Sequence, residues 1–239
     1  MKKVLIILGS LLLLFAIAFM VLRSNAGMEM PKGESGAEAD ALAMRMMAAC
    51  ESDAWDQTRF VQWTFAGRNS YIWDRSEGTV QVDDGKCTVL INSNTGEGIE
   101  LLGGECTGLT GVAKSAWSNF CNDSFWLVAP FKVMDPETRR ELVQTDQGPA
   151  LLVHYDKGGV TPGDSYLWYF GADYDLPYAY RMWTSILPVP GMEATWENWT
   201  TLHTGAKVAA THNMGPMTLE MSNLRSASTL EELQSKSIK

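Results

Sequence analysis

The chain has 239 residues, 46% of them hydrophobic, with 19 basic residues against 28 acidic ones and a net charge of −9. That length and apolar content suit one all-β or α+β domain, or two small ones. The acidity argues against a nucleic-acid binder and against tight docking on anionic lipid headgroups, because both need clustered cations.

Met1-Lys2-Lys3 is followed by Val4–Leu22, nineteen positions without a charge. At a helical rise of about 1.5 Å per residue they span about 28 Å, close to the hydrocarbon thickness of a bilayer. The basic pair in front favours the N-terminus in the cytoplasm. Residues 1–26 are therefore expected to be either a retained signal-anchor or a signal peptide cut after Ala26, where Ser24-Asn25-Ala26 offers small side chains. The apolar run exceeds the usual 7–15 or so residues of a signal-peptide core, which favours the anchor. No cysteine lies near its end, so no lipid-modified N-terminus is expected. The expected place of the remainder is the periplasmic side of the inner membrane, or the periplasm itself after cleavage. Without Lys2, Lys3 and Arg23 that remainder has sixteen basic residues against 28 acidic ones, a net −12.

Residues 27–36 (GMEMPKGESG) read as a polar linker. From Ala37 to Cys50 the apolar residues Leu42, Met46 and Ala49 fall at i, i+4 and i+7, which predicts an amphipathic helix. Short alternating segments follow, at Thr58–Phe65, Ser70–Asp74, Thr79–Asp83, Cys87–Ile91 and Gly98–Leu102. Turn residues separate them, and the set predicts an antiparallel meander. Val112–Asn122 reads as a second helix and runs into an apolar segment broken by Pro130 and Pro136. Strand patterns resume at Arg140–Thr145, Ala150–Tyr155, Ser165–Phe170, Tyr178–Thr184, Glu193–Thr200, Lys207–Thr211 and Met217–Met221. Residues 226–239 form a polar tail, frayed or a short surface helix. The expected fold is a single α+β domain with one large curved antiparallel sheet.

Cys50, Cys87, Cys106 and Cys121 are even in number, and an exported chain meets oxidising conditions. Cys87 and Cys106 flank a hairpin centred near Thr95-Gly96, at equal distances, and are the expected pair. Cys50–Cys121 is the remainder. No C-x-x-C occurs and no histidine lies near the four, so no metal site is expected.

Catalytic patterns are weak. Glu193 and Glu197 could serve a carbohydrate-active enzyme, which needs two carboxylates about one sugar, but most acids here sit in turn signals. His154, His203 and His212 lack the spacing of a helical metal pair, and no G-x-S-x-G elbow occurs. No catalytic residue and no cofactor are expected. The aromatic set is the unusual feature: Trp63, Phe65, Trp73, Trp126, Phe131, Trp168 and Trp183 lie on or near strands. They either fill the core of an interaction domain or wall an apolar cavity under a Met-rich helix.

The order of export segment, helix, meander, helical insertion and second meander resembles the LolA/LolB-like proteins, which carry or receive lipoproteins in the bacterial envelope. The motifs concerned are WDQTRFVQWTFAGRNSYIWD (Trp55–Asp74), SFWLVAPFKVMDP (Ser124–Pro136), GVTPGDSYLWY (Gly159–Tyr169) and WTTLHTGAKVAATHNMG (Trp199–Gly215). They are similar to an uncharacterised branch of that fold, over roughly residues 37–225. The resemblance implies a half-barrel whose open side is plugged by helices, with a cavity for the acyl chains of a lipid or lipoprotein and no metal or catalytic residue. It makes Trp63, Phe65, Trp73, Trp126, Phe131 and Trp168 the candidate cavity residues. A tethered domain of this kind can bind or hand over, but it cannot diffuse as a carrier unless it is cut from its anchor.

Overall fold

A computed structural model describes residues 27–157, 160–171, 176–187 and 189–235. The expected membrane span lies outside them. No helix among the described residues is long and apolar enough to cross a membrane.

The first helix, α1 (Ala37–Ala49), starts with Glu38 and Asp40 in its first turn, where carboxylates oppose the positive end of the helix dipole. It buries Ala39, Leu42, Ala43 and Met46, a spacing that lays one stripe on the core. A short helix, α2 (Ser52–Asp56), then delivers Trp55 into the interior. The first meander follows as β1 (Phe60–Phe65), β2 (Asn69–Asp74), β3 (Thr79–Asp83), β4 (Cys87–Asn92) and β5 (Gly98–Gly104). Val80 and Val82 on β3, like Val89 and Ile91 on β4, alternate with half-exposed neighbours, as strands with one buried face must.

The long helix α3 (Leu109–Val128) extends beyond the expected Val112–Asn122, because Asp123–Val128 carries on the apolar face until Pro130 stops it. It touches β4 and β5 at one side of the sheet and, at the other, β12 (Lys207–Met214). Gly96 makes that approach possible. A Cβ there would lie 2.4 Å from the Trp117 ring, and its φ of +74° suits glycine. The second meander comprises β6 (Thr138–Thr145), β7 (Gly148–Tyr155), β8 (Ser165–Phe170), β9 (Pro177–Trp183), β10 (Met192–Thr195) and β11 (Glu197–Thr201). After β12 come β13 (Met217–Ala227) and a last helix, α4 (Leu230–Ser235).

The architecture is α+β with antiparallel sheets that do not close into a barrel. The expected single sheet is divided into two. One has the order β11-β12-β13-β1-β2-β3-β4-β5, the other β10-β9-β8-β7-β6. The division falls inside the expected strand Glu193–Thr200. The chain leaves one sheet after Thr195 and joins the other at Glu197. Trp196, between them, is 1% exposed and packs on Trp168, Tyr180 and His212, so an aromatic residue forms the corner. Strand β13 closes back on β1, with Phe60 opposite Ala227. The tail is not wholly surface, since Leu233 is buried against Phe60 and Ala227.

Residues 28–34, expected as a linker, form a strap. The Met28 N–H donates to the Pro190 carbonyl (3.0 Å), and the Trp183 indole donates to the Met28 carbonyl (2.8 Å). At the other end the Gly33 N–H donates to the Glu141 carboxylate (2.9 Å), and Glu34 bridges to Leu142 on the free edge of β6. A Cβ on Gly33 would lie 2.6 Å from the Leu142 carbonyl oxygen, so this approach requires glycine. An extended run of this length reaches about 20 Å, and five strands at about 4.8 Å spacing are about 19 Å across. The strap therefore crosses the outer face of the five-stranded sheet, where Val143, Ala150, Leu152 and Leu167 form a second, small apolar cluster.

Cys87 and Cys106 form the expected disulfide, with Cα atoms 5.7 Å apart. The pairing Cys50–Cys121 does not form. Both are free thiols, Cys50 buried at the C-terminal end of α1 and Cys121 half-buried on α3.

Candidate functional site

A cavity of about 920 Å³, open to solvent, lies between α3 and the inner faces of both sheets. Helix α3 supplies its roof through Trp117, Phe120, Cys121, Ser124, Phe125 and Trp126, residues spaced so that one helical face points inward. Phe65 and Trp73 come from β1 and β2, while Tyr155, Tyr166, Tyr180 and Met182 come from β7, β8 and β9. Met214 and Leu219, on β12 and β13, complete the apolar wall. The rings are in mutual contact. Trp73 meets Phe120 edge-on at 5.2 Å, and Phe125 meets Tyr155 edge-on at 5.3 Å and Tyr166 at 4.8 Å. These are favourable aromatic geometries, so the rings of the wall support one another.

Polar atoms are few and confined. Asp164 is 4% exposed and accepts from the Thr161 hydroxyl at 2.6 Å, the Tyr166 hydroxyl at 3.3 Å and the Ser185 N–H at 3.3 Å. It ties the loop before β8 to the loop after β9 at the mouth. Lys132 pairs with Asp135 and Lys157 with Glu137, so each rim lysine is neutralised by a carboxylate. In the wall, the Tyr155 hydroxyl, the Trp73 indole N–H and the Thr184 hydroxyl are buried, and among the described residues they have no hydrogen-bond partner. Burial pushes the Tyr155 hydroxyl upward, so it stays protonated and able to donate. Behind the wall, Asp123 accepts from Asn69 (2.8 Å), Tyr71 (2.6 Å) and Asn122 (2.9 Å), and its burial raises its carboxyl above the ordinary range.

Three of the six expected cavity residues, Phe65, Trp73 and Trp126, line this space. The other three do not. Trp63 and Trp168 are fully buried, the first stacked on Tyr71 at 4.6 Å and the second against Tyr180 and Trp196, both at 4.9 Å. Phe131 is stacked on Trp55 at 4.7 Å, and the Arg75 guanidinium lies over the Trp55 ring at 4.1 Å. These three hold the sheets and helices together instead. Sequence reasoning missed Phe120, Phe125, Tyr155, Tyr166 and Tyr180. The helical spacing of Trp117, Phe120, Ser124 and Trp126 was a signal for the first two. The tyrosines become visible only once β7, β8 and β9 are known to be adjacent.

The carboxylates considered for sugar chemistry lie elsewhere. Glu193 pairs with Arg181 at 2.9 Å, and Glu197 accepts from Asn213 at 3.1 Å. No group of three or more metal-ligating side chains occurs among the described residues. Glu141, His154 and Ser165 sit in a row on the outer face, with His154 Nδ1 sharing a hydrogen bond with Ser165 Oγ at 2.8 Å and Nε2 lying 3.6 Å from Glu141. Ser165 is buried and Glu141 is engaged by the strap, so the row presents no nucleophile to solvent.

Fold and cavity together define an α+β protein with open antiparallel sheets and a largely apolar cavity beneath a long helix. No protein-family model and no curated protein matches the sequence. Among solved structures, a DUF1329 family protein from Desulfovibrio piger is similar at 11% identity and a TM-score of 0.43, covering 86% of this chain and all of that one. A putative outer membrane lipoprotein-sorting protein domain from Vibrio parahaemolyticus is similar at 7% identity and a TM-score of 0.38, covering 82% of this chain and 98% of that one. Likenesses of this size place no residue and name no ligand for this chain.

Proposed function

We propose that this chain is an envelope protein that binds a lipid, or the acyl chains of a lipoprotein, in the cavity under α3, without catalysing a reaction on it. The single observation that carries this reading is the cavity itself. Its volume of about 920 Å³ falls within the range of ligand pockets, about 300–1,000 Å³, and its wall is mostly aromatic and aliphatic, with charged groups at the mouth and a few hydroxyl and amide groups along the wall. Such a wall gains from removing a long apolar ligand from water, at about 25 cal/mol per Å² buried. The pairing of both rim lysines with carboxylates favours a ligand without a strong net charge at the mouth. In this reading Val4–Leu22 holds the domain at the membrane with the cavity on the periplasmic side.

The test is direct. Protein purified gently from membranes is extracted and examined by mass spectrometry for co-purifying lipid, and the stripped protein is titrated with a fluorescent fatty acid. Lipid in the extract and saturable probe binding are expected. An empty extract together with no probe binding removes the proposal.

A further inference from the structure

We infer that the mouth of the cavity is the surface that docks on the bilayer, with Ile186 and Val160 as apolar contacts. The inference rests on the lipid-binding reading for what passes through the mouth, while the docking itself has its own readout. Three observations converge on it. First, Ile186 is 61% exposed and Val160 42% exposed, and both belong to the cavity rim. Exposed aliphatic side chains at the opening of an apolar cavity give a lipid a dry path between membrane and protein.

Second, the strap ends here. Met28, itself 41% exposed, is hydrogen-bonded to Pro190 in the loop that carries Ile186 and to Trp183 at its base. That loop is gripped from the other side by the Ser185–Asp164 hydrogen bond. Only residues 23–27 separate Met28 from the end of the uncharged run at Leu22. Fully extended, six Cα steps reach about 21 Å, whereas a domain of this size is on the order of 40 Å across. A bilayer-embedded Val4–Leu22 therefore keeps the Met28 end at the membrane and the opposite end away from it. A free linker would have allowed any orientation. The strap, fixed at both ends, does not.

Third, the charges fit apolar docking rather than electrostatic docking. Lys132 and Lys157 at the rim are each paired with a carboxylate, and the chain as a whole is acidic. Docking should then need no anionic lipid, in contrast to polybasic surfaces.

The experiment uses the full chain reconstituted into vesicles of phosphatidylcholine containing a photoactivatable phosphatidylcholine, with labelled peptides mapped by mass spectrometry. Labelling of Val4–Leu22 serves as the internal reference. Peptides covering 160–165 and 184–187 should be labelled, and those covering Ile99–Leu102, exposed residues outside the cavity lining, should not. Adding anionic lipid should leave the pattern unchanged. Ile186→Glu should lower labelling of the 184–187 peptide relative to the reference by about tenfold, because a charge replaces an apolar side chain at the hydrocarbon boundary. Even labelling over the whole domain, labelling of Ile99–Leu102 instead, or an Ile186→Glu pattern identical to wild type would each overturn the docking. The fluorescent fatty acid is titrated into the wild-type protein separately. Rim labelling with an empty lipid extract and no probe binding would remove the lipid-binding reading and keep the docking. Probe binding without rim labelling would do the reverse.

Discussion

Trp183 on β9 donates its indole N–H to the main-chain carbonyl of Met28 at 2.8 Å, across 155 residues of sequence. This bond and the Met28–Pro190 bond are the clasps at one end of the strap over the five-stranded sheet, and Gly33–Glu141 and Glu34–Leu142 are those at the other. Trp183→Phe removes one clasp while keeping most of the ring packing, and should cost about 1 kcal/mol. Gly33→Val should cost more, about 1–3 kcal/mol, since its side chain meets the Leu142 carbonyl. Amide hydrogen exchange in residues 28–34 should quicken in both variants, with little change in α3.

Trp63 and Trp73 belong to ladder pairs two steps apart on β1 and β2, yet they have different roles. Val61 pairs with Trp73, and Trp63 pairs with Tyr71. Trp63→Ala leaves a hole in a sealed core and should cost about 3–5 kcal/mol. Where the variant remains folded, fatty-acid probe affinity should be unchanged. Trp73→Ala enlarges an existing open cavity, so the stability loss should be smaller and the probe affinity should change. Denaturant titrations and probe titrations on the same samples separate the two outcomes.

The free thiols report on the cavity. Burial pushes Cys121 up to about 11 and Cys50 up to about 12. At pH 8 about a thousandth of Cys121 is thiolate, so alkylation should be slow and should rise about tenfold per pH unit. Cys121, on the cavity wall, should react first, and Cys50 only on unfolding. A bound fatty acid should protect Cys121. Intact-mass measurement with time gives both rates, and equal Cys121 rates with and without the fatty acid would count against occupancy of this cavity.

His212 is buried behind Trp126 and Trp196, and desolvation lowers its imidazole to about 4 from 6.5. Its Nδ1 contacts the Thr195 carbonyl at 3.0 Å. Between those two values the unfolded chain takes up a proton that the folded chain refuses. Stability from this group is therefore full above pH 6.5 and falls as the pH drops towards 4, by on the order of 3 kcal/mol in total. His212→Phe should flatten that part of the stability–pH curve, at some cost at neutral pH. Denaturant midpoints from pH 7 to pH 4.5 provide the comparison.

The alternation of small runs of apolar residues placed most strands within two residues of their observed ends, because the two faces of a strand are a local property of the chain. Ser165–Phe170 and Thr79–Asp83 coincide with the sequence reading, and the hairpin symmetry about Thr95-Gly96 was enough to pair Cys87 with Cys106. The order of helical and strand patterns likewise sufficed for the α+β class, and the order of residues for the uncharged run at Val4–Leu22. The tertiary structure decided the rest. Whether an aromatic residue fills a core or walls a cavity depends on the volume left by residues far away in sequence, so Trp63, Phe131 and Trp168 could not be told from Phe65, Trp73 and Trp126. The break at Trp196 arises because its neighbours pair with different sheets. The strap has no periodicity of its own: its conformation comes from Trp183, Pro190, Glu141 and Leu142, which only folding brings to it.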